Sequence, residues 1–213
     1  MLLASVGELL LISALLWTVS RLLPYWRAAA VNASSAQGWP VPEPSQRGYV
    51  MLLCAALLMV ALTASVGAIR FALSDTSGSI DVIWQPLVEL HDRLSWLSRQ
   101  LAMPLYVLCA LWLWGRVGAK VLLLLAVVSQ LPLLGAPALL TDAVLLLALL
   151  RLAQSAQPRW VFIGAIVSLL LVPLCGVLIA DKDIAMGVFH LCLALHFVGF
   201  SCALPRPRQQ QPS

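Results

Sequence analysis

Seven stretches of the chain are almost purely apolar, at residues 2–20, 50–71, 101–114, 121–134, 138–152, 160–180 and 184–204. A segment in hydrocarbon must satisfy its own backbone N–H and C=O groups. These runs lack the strict alternation of barrel strands, so each predicts a helix. The third run is short, but Ile83, Leu87, Leu90, Leu94, Leu97 and Leu101 precede and enter it at alternating spacings of four and three. That is helical periodicity. It predicts one long or slightly broken helix over 81–114, amphipathic first and fully apolar later, with a kink at Pro104.

The weakest boundary falls within 121–150, where Pro132, Gly135 and Pro137 interrupt the pattern. One overlong helix would divide the basic residues six against seven. Two helices divide them nine against four, with Arg21, Arg27, Arg47, Arg116, Lys120, Arg151, Arg159, Arg206 and Arg208 facing Arg70, Arg93, Arg99 and Lys182. Basic residues accumulate in cytoplasmic loops. The expectation is therefore an all-α, multi-pass bundle of seven spans, with the N-terminus outside and the C-terminus in the cytoplasm. The spans lie at about 2–20, 50–71, 94–114, 119–134, 138–152, 160–180 and 184–204, within a single domain over 1–204. Residues 205–213 read as a disordered cytoplasmic tail, and the proline-bearing segment 33–45 as a flexible or extended loop. Trp17, Trp26, Trp112, Trp114 and Trp160 would mark the inner interface, and Trp84 and Trp96 the outer one. The first run is read as an uncleaved helix, because Glu8 precedes its centre while Arg21 and Arg27 follow it, the reverse of a secretory signal.

Composition agrees. Of 213 residues, 62% are hydrophobic and 10% charged, where soluble domains carry roughly 45–50% and 25%. The mean hydropathy is +0.95. A net charge of +4 from scattered basic residues provides no clustered stripe for nucleic acid, so the expected partner is the lipid bilayer, with a lipid head group or small molecule as a further candidate. Five cysteines, all in apolar runs, show neither CxxC nor finger spacing and predict neither a disulfide framework nor a structural zinc. Thr63 with Gly67, and Gly164 with Ser168, stand four apart and predict close helix approaches.

Ionisable groups inside a span are costly and are default functional candidates. In the inferred topology Glu8, Arg70, His91, Asp142, Asp183 and His190 all lie in the outer half, with Ser95 one turn beyond His91. This distribution predicts an outward-facing polar cavity. Asp183, Gly187 and His190 share one helix face, as do His91, Ser95 and Ser98. The plainer expectations are that Asp183 caps the last helix, Arg70 snorkels and Glu89 pairs with Arg93. His190 and His196 stand about 120° apart around their axis at 100° per residue and do not grip one ion. Motifs for nucleophilic hydrolases, phosphate loops and dinucleotide binding do not occur.

The acid in Ser5-Val6-Gly7-Glu8-Leu9-Leu10, Ser65, the segments Ala68-Ile69-Arg70-Phe71, Leu90-His91-Asp92-Arg93-Leu94-Ser95 and Val188-Phe189-His190-Leu191, and Asp183 together resemble poorly characterised bacterial relatives of the alkaline-ceramidase-like superfamily of seven-helix membrane hydrolases. The resemblance implies a multi-pass protein of the bacterial inner membrane. In the catalytic members a histidine four residues after the serine and an HxxxH pair in the last helix hold zinc. Ile69 and Ala194 occupy the corresponding positions here, which removes two ligands. The expectation is a non-enzymatic binding or structural membrane protein without catalytic residues or cofactor. The alternative is a zinc-dependent lipid amidase or esterase with His91, His190 and Asp183 or Glu8 around the metal.

Overall fold

A computed structural model describes residues 2–31, 44–74, 81–114, 119–130, 138–154 and 158–203. They form seven helices. α1 is Leu2–Val31 and α2 is Pro44–Ser74. α3 runs Asp81–Leu97, passes through a π-helical turn at Ser98–Ala102, and continues as Met103–Trp114. α4 is Ala119–Ser129, α5 Ala138–Ala153, α6 Arg159–Leu178 and α7 Lys182–Ala203. The first two overrun their apolar cores, α1 by continuing past Arg21 and Pro24. Pro44 and Ser45, expected at the end of a loop, open α2 instead. Proline suits a first helical position because its missing N–H would have had no partner there. The tail 205–213 and most of the loop 33–45 lie outside the described residues.

The helices close into a ring in the order α1, α2, α3, α5, α6, α7 and back to α1, while α4 packs outside the ring against α3 and α5. With 11 residues, α4 is about 16 Å long and buries little beyond Ser129. Among the described residues four helical stretches, Leu2–Pro24, Arg47–Leu73, Gln85–Leu113 and Lys182–Ala203, are long and apolar enough to cross a membrane. Leu2, Leu123, Leu147, Trp160, Val177 and Leu178 are each more than 60% exposed on outer faces, an apolar coat suited to lipid and not to water.

Small residues set how closely the ring closes. A Cβ on Gly187 would stand 2.9 Å from the Leu3 carbonyl oxygen, and one on Gly7 3.0 Å from the Gly187 carbonyl, so α1 and α7 meet backbone to backbone. A Cβ on Gly199 would lie 2.7 Å from Ala165 Cβ, which seats α7 on α6. The expected Gly164/Ser168 approach does not occur: nothing lies within 4 Å of a Gly164 Cβ, and Ser168 Oγ donates to its own helix at Gly164 O. Thr63 does not serve as a spacer either. Its Oγ1 lies 2.6 Å from Ser98 Oγ and 3.3 Å from the Leu94 carbonyl, tying α2 to α3 where the latter changes winding.

That change is where Pro104 was expected to kink the helix. The Met103 amide donates five residues back to Ser98 O, and Pro104 has no N–H for the carbonyl of Gln100. The side-chain amide of Gln130, just past the end of α4, donates to that carbonyl at 3.1 Å. A freed carbonyl at membrane depth needs such a partner. Gln130→Leu is expected to cost about 1 kcal/mol, read as an earlier midpoint of unfolding in detergent, while exposed Gln154→Leu leaves the midpoint in place.

Candidate polar site at one end of the bundle

Glu8 lies six residues into α1, about 9 Å from its start, on the buried stripe of Ala4, Leu11, Ala14, Leu15 and Thr18. It is 2% exposed. Its Oε1 is 3.1 Å from His190 Nε2 on α7 and 4.0 Å from His91 Nε2 on α3. Gly67 on α2 makes this possible, because a Cβ there would overlap Glu8 Oε1 and stand 2.9 Å from His91 Nε2. The expected small-residue role of Gly67 thus serves a carboxylate and an imidazole, not a neighbouring backbone.

The other side of the His91 ring faces outward. Arg70 NH1 donates to His91 Nδ1 at 2.9 Å and to Asp92 Oδ1 at 3.1 Å, and His91 Nδ1 is 3.6 Å from the same Asp92 oxygen. Arginine has no lone pair to offer, so its donation leaves His91 Nδ1 unprotonated and places the ring proton on Nε2, toward Glu8. Arg70 does more than snorkel, since its side chain is only 25% exposed and bridges α2 to α3. The Asp92 side chain is 65% exposed. Four elements therefore converge here: the start of α1, the end of α2, the first half of α3 and the start of α7. Glu8 Oε2 and His190 Nδ1 are buried without a hydrogen-bond partner.

Asp183 stands beside this group in a different role. The last helix is capped not by Asp183, as expected, but by Asp181, whose Oδ1 accepts from the amides of Asp183 at 2.8 Å and Ile184 at 3.1 Å. Asp183 reaches across instead, and its carboxylate accepts from the amides of Ala4 at 3.1 Å and Leu3 at 3.4 Å. It caps α1 in trans, placing negative charge where the helix dipole favours it. Asp183→Ala is expected to cost about 0.5–2 kcal/mol and to raise hydrogen exchange at the first amides of α1. The same loss of protection in Asp181→Ala, with none in Asp183→Ala, would reverse the assignment.

Asp142 is not joined to the cluster; it pairs with Arg99 at 3.3 Å on the exposed surface. Ser95 is half-buried on the His91 face of α3, while farther along it Ser98, Ala102, Tyr106 and Cys109 are buried. Glu89 and Arg93 are both exposed. Sequence reasoning overlooked Gly7, although Ala4, Gly7, Leu11 and Ala14 recur at spacings of three and four and trace the buried face of α1.

His196 is wholly buried. Its Nδ1 donates to the Ala165 carbonyl at 2.8 Å, so its Nε2 accepts from Tyr106 Oη at 3.0 Å. Phe197 and Phe200 stack edge-on against Tyr106. Thr18 Oγ1 lies 3.2 Å from the Phe197 carbonyl, a further tie between α1 and α7.

His91 and His190 both direct Nε2 at one Glu8 oxygen, and Asp183 is spent on the amides of α1. Among the described residues no three His, Cys, Asp or Glu side chains are arranged to hold a metal ion. No family model, curated protein or solved structure matches the chain.

Proposed function

We propose that this is a multi-pass protein of the cell membrane, of the bacterial inner-membrane type, with seven crossings and its N-terminus outside. In this reading the Glu8 cluster is an outward-facing binding site and not a catalytic centre. The observation that carries it is the Glu8 carboxyl itself: a polar group held in an apolar bundle at the cost of several kcal/mol, flanked by two imidazoles, with Oε2 unpartnered. The crossing count draws support from α4 and α5. Gln130, just past the end of α4, meets α3 at Gln100, and Asp142, early in α5, meets it at Arg99. Two successive crossings in opposite directions bring their shared end to one level in this way. The bilayer is the surrounding partner, and the likeness to alkaline-ceramidase-like proteins is then one of helix arrangement without their zinc chemistry.

Orientation is tested in a variant whose native cysteines are replaced by alanine. A membrane-impermeant maleimide added to intact cells is expected to label a cysteine substituted at Glu89 and to spare one at Arg159. Labelling at Arg159 alone would invert the topology.

A further inference from the structure

Resting on that binding reading, we infer that the species bound at Glu8 is a proton, delivered from the outer surface through His91. Size is the first argument. Glu8 is 2% and His190 6% exposed, and Gly67 leaves room for the Glu8 oxygen and the His91 nitrogen and for little else. A lipid head group or organic ammonium does not enter so closed a site, whereas a proton needs only lone pairs, which Glu8 Oε2 and the two imidazoles provide.

The second argument is the route. His91 has one nitrogen on each side of the seal, Nδ1 by Arg70 and exposed Asp92, and Nε2 facing Glu8. An imidazole so placed relays protons, because it takes one on one nitrogen and releases another from its partner. External hydronium protonates Nδ1 as the Arg70 N–H withdraws onto Asp92 Oδ1, its existing partner. The Nε2 proton then passes to Glu8 Oε1. The outside water is left neutral, the carboxylate loses its charge, and His91 is left with its proton on Nδ1, toward Asp92 Oδ1; unloading runs the same transfers in reverse. His190 Nε2, 3.1 Å from the same oxygen, shares the proton. Arg70 is a positioning residue that sets the tautomer. The charged and titratable groups facing Glu8 are therefore His91, with Arg70 and Asp92 behind it, from α2 and α3, and His190 from α7, with Asp183 nearer the start of α7.

The test uses full-length protein with 15N-labelled histidine in bilayer nanodiscs. Infrared difference spectra report the Glu8 carboxyl, and His196 is the internal control for folding. In the parent chain the carboxyl band and the His190 nitrogens are expected to change together in a one-proton transition. Glu8→Gln, which keeps shape, removes the band and changes the proton affinity of His190 at least about tenfold. His91→Phe keeps the transition but slows proton exchange about a hundredfold. Identical His190 titration in Glu8→Gln, or a Glu8 and His190 pair indifferent to pH while His196 reports a folded chain, would overturn the proposal. Unchanged exchange in His91→Phe would overturn the route. Acidifying only the exterior of oriented proteoliposomes separates the two readings: loading solely from the opposite face defeats the outward orientation while the proton site stands.

Discussion

Replacing His190 with leucine is expected to cost about 1–3 kcal/mol, the loss typical when a buried polar group is left without its hydrogen-bond partner. The cause lies on α1. Glu8 Oε2 already has no partner, and leucine would take away the 3.1 Å contact at Oε1 and leave only His91 at 4.0 Å. A carboxyl group left there among leucine and alanine side chains has no water to turn to. A second substitution, Glu8→Leu, is expected to return most of the loss, because two apolar side chains of suitable volume carry no desolvation penalty. The double-mutant cycle, followed by reversible unfolding in mixed micelles, isolates the pair's coupling. Additive single and double losses would mean that the two side chains contribute only through packing.

The second large effect is expected at Gly187. Valine there would place its Cβ 2.9 Å from the Leu3 carbonyl oxygen and 3.1 Å from the carbonyl carbon. Both are backbone atoms of α1, which no rotamer change can move aside. Overpacking of this kind costs about 1–3 kcal/mol, and the upper end is expected because separating α1 from α7 also strains the bonds from Asp183 to Leu3 and Ala4 and the Glu8–His190 contact. Gly164→Ala is the matched control. With nothing within 4 Å and a helix interior that favours alanine by roughly 0.5–1 kcal/mol, it is expected to leave stability unchanged or raise it. A Gly187→Val chain as stable as its parent would show that the helices part freely at this point.

The all-helical architecture was legible because apolar runs and helical spacing are local properties of a sequence. So was the grouping of Glu8, Arg70, His91 and His190, since membrane burial singles out the few ionisable groups that enter it. Asp183 and Asp181 were not separable. Both can cap α7 in sequence, and the choice depends on the start of α1, some 180 residues away, arriving with unsatisfied amides. Asp142 was grouped by depth alone, and depth does not fix the direction around an axis; its face turns toward Arg99 on the exposed surface. The π turn at Ser98–Ala102 was invisible because Pro104 announces a defect without saying how the helix absorbs it or that Gln130 answers for the freed carbonyl.

The Tyr106–His196–Ala165 chain bears on the bundle as an electrical object. Each nitrogen of His196 is committed, one giving its hydrogen to a carbonyl and the other receiving one from a phenol, so the ring cannot take up a proton without displacing the Tyr106 hydroxyl. Aromatic edges of Phe197 and Phe200 close around the phenol ring. His196 lies six residues along α7 from His190, about 9 Å deeper. In the proposed proton reading, a charge that reaches His190 finds at His196 a ring whose lone pair is already taken. In that reading, proton loading at Glu8 reports the conditions on one side of a membrane without opening a path to the other.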